Sequence, residues 1–179
     1  MENVYSSYYP SPIGILKISF TANNINNISF VKEIDDINED CCNGIFFKSK
    51  KVRDLYNLIY DQLNEYFTGK RKIFNLPQNI NGTKFEVEVW NYLKSIPYGE
   101  IRTYKEVAKA IGHPGAARAV GNAAHKNPLI IIIPCHRVVS SHGKLSGYKS
   151  GLRRKKWLLK HENKYICENN FKENLERKI

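Results

Sequence analysis

Apolar and polar positions alternate early in the chain: Leu16, Ile18 and Phe20 are separated by Lys17 and Ser19, a period of two that predicts a strand. The asparagine-rich stretch 23–27 parts that run from Ile28-Ser29-Phe30-Val31, so the two form a hairpin. The period then changes. Val52, Leu55, Tyr56, Ile59, Leu63, Tyr66 and Phe67 recur at helical spacing ahead of Gly69, which predicts a helix over 49–67. A polar stretch containing Pro77, residues 75–82, is expected to be a linker.

Beyond the linker the signals are helical. Thr83 with Glu86, and Thr103 with Glu106, are two capping boxes. The first opens a helix that stops before Pro97; the second opens a short helix, 104–111, closed by Gly112-His113-Pro114-Gly115. A third helix, 116–126, runs up to Asn127-Pro128. Helix, tight turn, helix is the helix-turn-helix pattern, which occurs both in DNA readers and in small helical proteins that never touch DNA. An apolar run, 131–139, then predicts a buried strand, and a glycine-containing loop, 140–151, leads to a basic helix over 152–160 that His161-Glu162 ends. In that helix Leu152, Trp157 and Leu158 are expected to face the core, and Arg153, Arg154, Lys155 and Lys156 solvent or phosphate. The fold class is α+β: an N-terminal antiparallel sheet with a helix, and a mostly helical C-terminal domain with a short strand. The expected domains are 1–80 and 81–166, with a polar tail over 167–179.

Charge sharpens the division. The chain of 179 residues carries a net charge of +11, and residues 1–80 hold nine Lys/Arg against nine Asp/Glu, so the second half supplies all of the excess. A basic half points to a polyanion, nucleic acid before membrane, because no apolar run approaches the ~20 residues of a membrane span. Solvated lysines that only keep the protein soluble are the bland alternative. The N-terminus lacks a basic and apolar leader, so a cytoplasmic location is expected. Cys41, Cys42, Cys135 and Cys167 show no CxxC spacing, which argues against a disulfide framework and a zinc site; neither metal nor cofactor is expected.

The helix over 116–126 is made of Ala116, Ala117, Ala119, Gly121, Ala123 and Ala124, with Arg118 as its one long side chain before His125. Such a helix approaches another backbone closely, either a duplex bound without regard to sequence or a neighbouring helix. Inside the apolar run, Cys135 is followed by His136 and Arg137, and basic neighbours favour a thiolate over an inert buried thiol. In an extended strand Cys135 and His136 point to opposite faces, so a turn or a bridging water must connect them. A histidine acting as general base needs a carboxylate behind it, and Glu162, beside Trp157-Leu158-Leu159, is the candidate; the alternative is a surface glutamate at a helix end.

Ile133-Pro134-Cys135-His136-Arg137-Val138-Val139, Ala116-Ala117-Arg118-Ala119-Val120-Gly121, Asn127-Pro128, Gly147-Tyr148 and Trp157-Leu158-Leu159, in this order, resemble the O6-alkylguanine-DNA alkyltransferases. The resemblance is strong over 85–166 and fainter before it, where Ser11-Pro12-Ile13-Gly14 and Tyr66-Phe67 with Gly69 look like the family's divergent, ribonuclease-H-like domain. It implies that Cys135 takes the alkyl group from guanine O6 in a flipped base of double-stranded DNA, once per molecule, with O4 of alkylthymine left open. It also implies roles for individual residues. His136 would be the water-linked base, Glu162 its partner, Asn127 the brace of the active-site turn, and Tyr104 the donor to the leaving guanine. Arg118 would fill the hole left by the base, with Ala117 and Gly121 against the minor groove and Lys126 and Arg137 at the DNA. Tyr148, Gly147 and the backbone at Val138 would line the base pocket. A monomer is expected, with cooperative binding along DNA open. The rival readings are a lesion sensor without the cysteine, a Cys-His hydrolase, and a plain helix-turn-helix regulator. His113, His125 and His142 receive no role.

Overall fold

The computed structural model describes residues 2–31, 47–141 and 147–164. Cys41, Cys42, His142, Cys167 and the tail over 167–179 lie outside the described residues. The chain divides into two compact units, Met1–Ile80 and Asn81–Ile179.

In the first unit, β1 (Tyr5–Ser11), β2 (Gly14–Phe20) and β3 (Ile25–Phe30) form an antiparallel sheet in that order. The alternation along β2 works as expected: Leu16, Ile18 and Phe20 are buried, while Lys17 and Ser19 stay partly exposed. The register pairs Leu16 with Phe30 and Ile18 with Ile28, with a bulge at Ser19/Phe20. Strand β1 gave no alternating signal in Tyr5-Ser6-Ser7-Tyr8-Tyr9, since Ser7, Tyr8 and Tyr9 are all buried. Helix α1 (Lys50–Phe67) buries Val52, Leu55, Tyr56, Ile59, Leu63 and Tyr66.

The stretch read as a linker is, in its first part, built into this unit. The buried Gln62 side chain donates to Asn75 O and accepts from Asn75 N, both at 2.8 Å. Pro77 O then accepts from Ile25 N at 2.9 Å, and Asn79 N donates to Ile25 O at 3.0 Å. Two side-chain and two backbone hydrogen bonds therefore order a segment whose composition reads as loop.

The second unit opens with α2 (Lys84–Ser95), followed by β4 (Arg102–Thr103), α3 (Tyr104–Ala110) and α4 (Ala117–His125). Both capping boxes close reciprocally: Glu86 N donates to Thr83 Oγ1 while Thr83 N donates to Glu86 Oε2, and Thr103 with Glu106 does the same. Trp90 Nε1 donates to Ala123 O at 2.8 Å and ties α2 to α4.

The apolar run is buried from Leu129 to Val139, but it is not a strand. Ile133 N donates back to Leu129 O at 2.8 Å, and Ile131 between them takes φ 74°, a backbone region rare for a β-branched residue. Cys135–Arg137 is a single 3-10 turn, and only β5 (Val138–Val139) is extended, parallel to β4. Pro134, which has no N–H to offer a sheet, stands at the entry to that turn.

Helix α5 (Leu152–Lys164) runs past the expected stop at His161-Glu162. Neither residue breaks a helix, and the Glu162 carboxylate is used inside the unit. The facing of α5 also differs. Lys155 is fully buried and Leu152 is 47% exposed, the reverse of what hydrophobicity alone assigns.

Candidate active site

Asn127, directly after α4, shapes the turn through three hydrogen bonds. Its Nδ2 donates to Ile133 O at 2.8 Å and to Cys135 Sγ at 3.1 Å, and its Oδ1 accepts from Leu129 N at 2.9 Å. One buried amide thus satisfies the backbone that the turn leaves unpaired and fixes the sulfur at the same time. On the 3-10 turn, Cys135 and His136 are not held to opposite faces as they would be in an extended strand.

His136 is fully buried, and its Nε2 lies 2.8 Å from Glu162 Oε1, which is also fully buried. Arg137 closes the group: Nε donates to Glu162 Oε2 at 2.9 Å, the second terminal nitrogen to Glu162 Oε1 at 3.0 Å, and the first to Ile96 O at 2.6 Å. Gly99 N adds a fourth donor to Glu162, 3.2 Å from Oε2. Burial raises the Glu162 carboxyl, yet His136 and Arg137 outweigh it and hold the group well below the usual carboxylate range. An ionised Glu162 accepts, so the proton of a neutral His136 sits on Nε2. Its Nδ1 is buried and has no hydrogen-bond partner among the described residues. Burial lowers the His136 pKa more than Glu162 raises it, so the ring is neutral near pH 7 and Nδ1 is a free base.

Arg137, expected at the DNA, is instead turned inward. It is 6% exposed, and its guanidinium is committed to Glu162 and Ile96 O. The expectation of a thiolate favoured by its neighbours also fails at rest. Burial pushes the Cys135 thiol up, and the Asn127 hydrogen bond, the Lys155 charge and the backbone N–H groups of Cys135 and His136 offset it only in part.

The sequence reading missed Lys155. Its Nζ donates to Val138 O at 2.6 Å and lies 5.8 Å from the centre of the Tyr104 ring. Burial lowers its pKa to about 8, against an opposing pull from Cys135, so it remains largely charged at pH 7. A lysine in a run of four basic residues reads as surface; its place three and four positions before Leu158 and Leu159, on their face of α5, was the available signal.

Tyr104, the first residue of α3, reaches Gly147 O through its hydroxyl at 3.4 Å. Burial and then Cys135 raise its pKa, so it holds its proton. A Cβ on Gly147, whose φ is +66°, would stand 2.9 Å from the Tyr104 hydroxyl, and one on Gly121 would stand 3.7 Å from the Tyr104 ring. The Tyr148 hydroxyl is buried and has no hydrogen-bond partner among the described residues. Arg118 is exposed, and Ala117 and Gly121 are half-buried. The exposed Lys126 pairs with Glu86 at 2.6 Å. Among the described residues no cluster of His, Cys, Asp and Glu suits a metal ion, and no helix is long and apolar enough to cross a membrane.

Comparison with known proteins agrees with this geometry. Residues 4–80 match the ribonuclease-like domain of 6-O-methylguanine DNA methyltransferase, and residues 84–164 match its DNA-binding domain. The methylated-DNA–protein-cysteine methyltransferase of Methanosarcina acetivorans is 42% identical over 162 residues, covering 89% of this chain and 98% of its own. Among solved structures, the Mycobacterium tuberculosis O6-methylguanine methyltransferase superposes with a TM-score of 0.76 at 36% identity, over 93% of this chain and 96% of that one. The Mycobacterium tuberculosis OGT in complex with DNA gives a TM-score of 0.76 at 38% identity, over 89% and 93%. With both domains matched over residues 4–80 and 84–164, the chain belongs to the 6-O-methylguanine DNA methyltransferase family.

Proposed function

We propose that this protein repairs DNA by direct reversal, moving the alkyl group from O6 of guanine to Sγ of Cys135. The observation that carries the reading is the buried relay: a free thiol held by Asn127, and a neutral histidine whose one hydrogen-bonded nitrogen faces Glu162 and whose other is open. A base inside a duplex cannot reach a buried thiol, so the alkylated nucleotide leaves the stack at a cost of a few kcal/mol. The small-residue α4 lies in the minor groove through Ala117 and Gly121, and Arg118 fills the space vacated. Lys126 exchanges Glu86 for phosphate, since an exposed ion pair of this kind is weak and screened by salt.

In the pocket, Tyr148, Gly147 and the Val138 backbone surround the guanine. His136 Nδ1 takes the Cys135 proton through one water, Glu162 stabilises the resulting imidazolium, and the charge of Lys155 favours the new thiolate. Sulfur bonds the alkyl carbon as the carbon–O6 bond breaks, and Tyr104 donates toward the departing guanine. The product thioether has no good leaving group, so each molecule acts once. The protein works as a monomer on double-stranded DNA in the cytoplasm, where thiols stay reduced.

Intact mass of the protein after mixing with a duplex carrying one O6-methylguanine tests the reading. The expected result is one methyl group gained per molecule, absent from Cys135→Ala and equal to the guanine restored. Tight binding without mass gain would make the protein a lesion sensor, and turnover beyond one equivalent would make it a hydrolase.

A further inference from the structure

Helix α5 separates its basic residues into two populations. Lys155 points inward with Leu158, Leu159 and Glu162, all buried. Arg153, Lys156 and Lys160 are exposed, at positions that place them on the opposite side of the same helix. Lys149, on the turn leading into α5, is exposed as well. None of these four is in an ion pair among the described residues, whereas the exposed Lys126 and the half-buried Arg102 each have a carboxylate. Like charges three and four positions apart repel along a helix, so a stripe of this kind costs stability unless something anionic lies against it.

The stripe starts at the site. Lys149 directly follows Tyr148, and Gly147 receives the Tyr104 hydroxyl at the start of the helix-turn-helix. From Arg153 to Lys160 the helix rises about 10 Å at 1.5 Å per residue. Along a duplex, each strand presents one phosphate per about 3.4 Å of axis, so that length spans about three phosphates. Separate anions bind one or two cations; a line of cations matches a line of anions.

We propose that Arg153, Lys156 and Lys160 form a second phosphate-binding surface, which grips the DNA backbone beside the pocket independently of α4. The inference rests on the reading of the protein as a DNA alkyltransferase. It assigns α5 two jobs on opposite faces: Lys155 and Glu162 serve the thiol, and the exposed stripe holds the strand next to the extruded nucleotide.

The test compares the full chain with the triple variant R153Q/K156Q/K160Q and with a control, K48Q/K50Q/K70Q, which removes the same charge from exposed positions of the first unit. Glutamine has nearly the helix propensity of the residues it replaces, so α5 should keep its fold. Binding to an unmodified duplex is measured from 50 to 400 mM salt. The stripe variant should lower the slope of log K against log salt by about 2 to 3, at about 0.9 per lost phosphate contact, and weaken binding about tenfold or more at low salt. The control slope should stay as in the wild type. Methyl transfer at saturating DNA should be unchanged in both. Equal slopes for wild type and stripe variant, or equal losses in both triples, would overturn the proposal. A preference for double-stranded RNA over DNA that disappears with the stripe would overturn it in favour of another polyanion. Failure of the wild type to take up methyl groups would instead strike the alkyltransferase reading itself.

Discussion

The imidazole of His136 and the carboxylate of Glu162 meet at 2.8 Å with neither exposed to solvent. A buried ion of this kind survives only when its lone pairs are filled, and Arg137 and the Gly99 amide fill those of Glu162. The pair leaves one function to His136, which is to accept a proton at Nδ1, and one to Glu162, which is to make the charged ring tolerable.

The same pair makes the fold acid-labile. Because burial holds the His136 pKa below its ordinary value, the unfolded chain takes up a proton that the folded chain refuses once pH falls below about 6.5. Glu162 acts at lower pH: its folded pKa is depressed, so its stabilisation is complete above about pH 4.3 and is lost as pH falls toward the folded value. Urea midpoints should therefore decline from pH 7 through 5 and more steeply below about 4.3. Glu162→Gln should remove the lower step, cost about 3 to 5 kcal/mol at pH 7, and slow single-turnover transfer about 100-fold. A variant that transfers at the wild-type rate would detach Glu162 from the chemistry.

Lys155 is a cation placed where it costs stability. A pKa lowered to about 8 from an ordinary 10.5 means that the charged form loses about 3 kcal/mol on folding at neutral pH. Lys155→Met relieves that cost but leaves Val138 O without its donor, worth about 1 to 3 kcal/mol. The net change at pH 7 should lie between none and a gain of about 2 kcal/mol, while transfer slows about tenfold or more. A check on cause comes from the wild type: between about pH 8 and 10.4 the unfolded chain binds the proton that the folded chain has lost, so Lys155 contributes rising stability there. That rise should be absent in the methionine variant. Lost stability together with unchanged transfer would mark Lys155 as a packing residue only.

These two groups also show where sequence stops informing structure. The capping boxes at Thr83 and Thr103 are local, reciprocal and four residues long, so they are readable from the chain and appear as written. Cys135, His136 and Glu162 were likewise recoverable from motif and neighbourhood. The turn that presents them was implied by the family resemblance but not by the periodicity, which reads as a strand, because its hydrogen bonds run through the Asn127 amide and leave no trace in hydrophobic spacing. Polar burial was misread for the same reason. Arg137 and Lys155 look like surface residues until Glu162 and Val138 O, distant in sequence, supply their partners.

Gly121 separates packing from DNA contact. A Cβ there would touch the Tyr104 ring at 3.7 Å, an ordinary van der Waals distance, and Gly121 lies within α4. Gly121→Ala should therefore raise stability by about 0.5 to 1 kcal/mol through helix propensity. If α4 approaches the minor groove as proposed, the added methyl group holds the backbones apart, and affinity for duplex DNA should fall about tenfold on every sequence alike. Thermal unfolding and binding to two unrelated duplexes read both effects. Stabilisation with unchanged affinity would move α4 off the DNA.

Gly147 is the opposite case, a position where a methyl group has nowhere to go. Its φ of +66° already costs an L-residue about 1 to 2 kcal/mol, and the new Cβ would lie 2.9 Å from the Tyr104 hydroxyl. Gly147→Ala should destabilise the protein by about 1 to 3 kcal/mol and, by turning the Tyr104 hydroxyl away, slow methyl transfer. Tyr104→Phe should also slow transfer, since it removes the donor to guanine, but it removes the clashing oxygen too. The double variant is therefore the informative one. If Gly147 acts by positioning that hydroxyl, adding Gly147→Ala to the phenylalanine variant should cost little further rate and less stability than it does alone. Rates that multiply independently in the double variant would show that Gly147 serves the pocket by some route other than Tyr104.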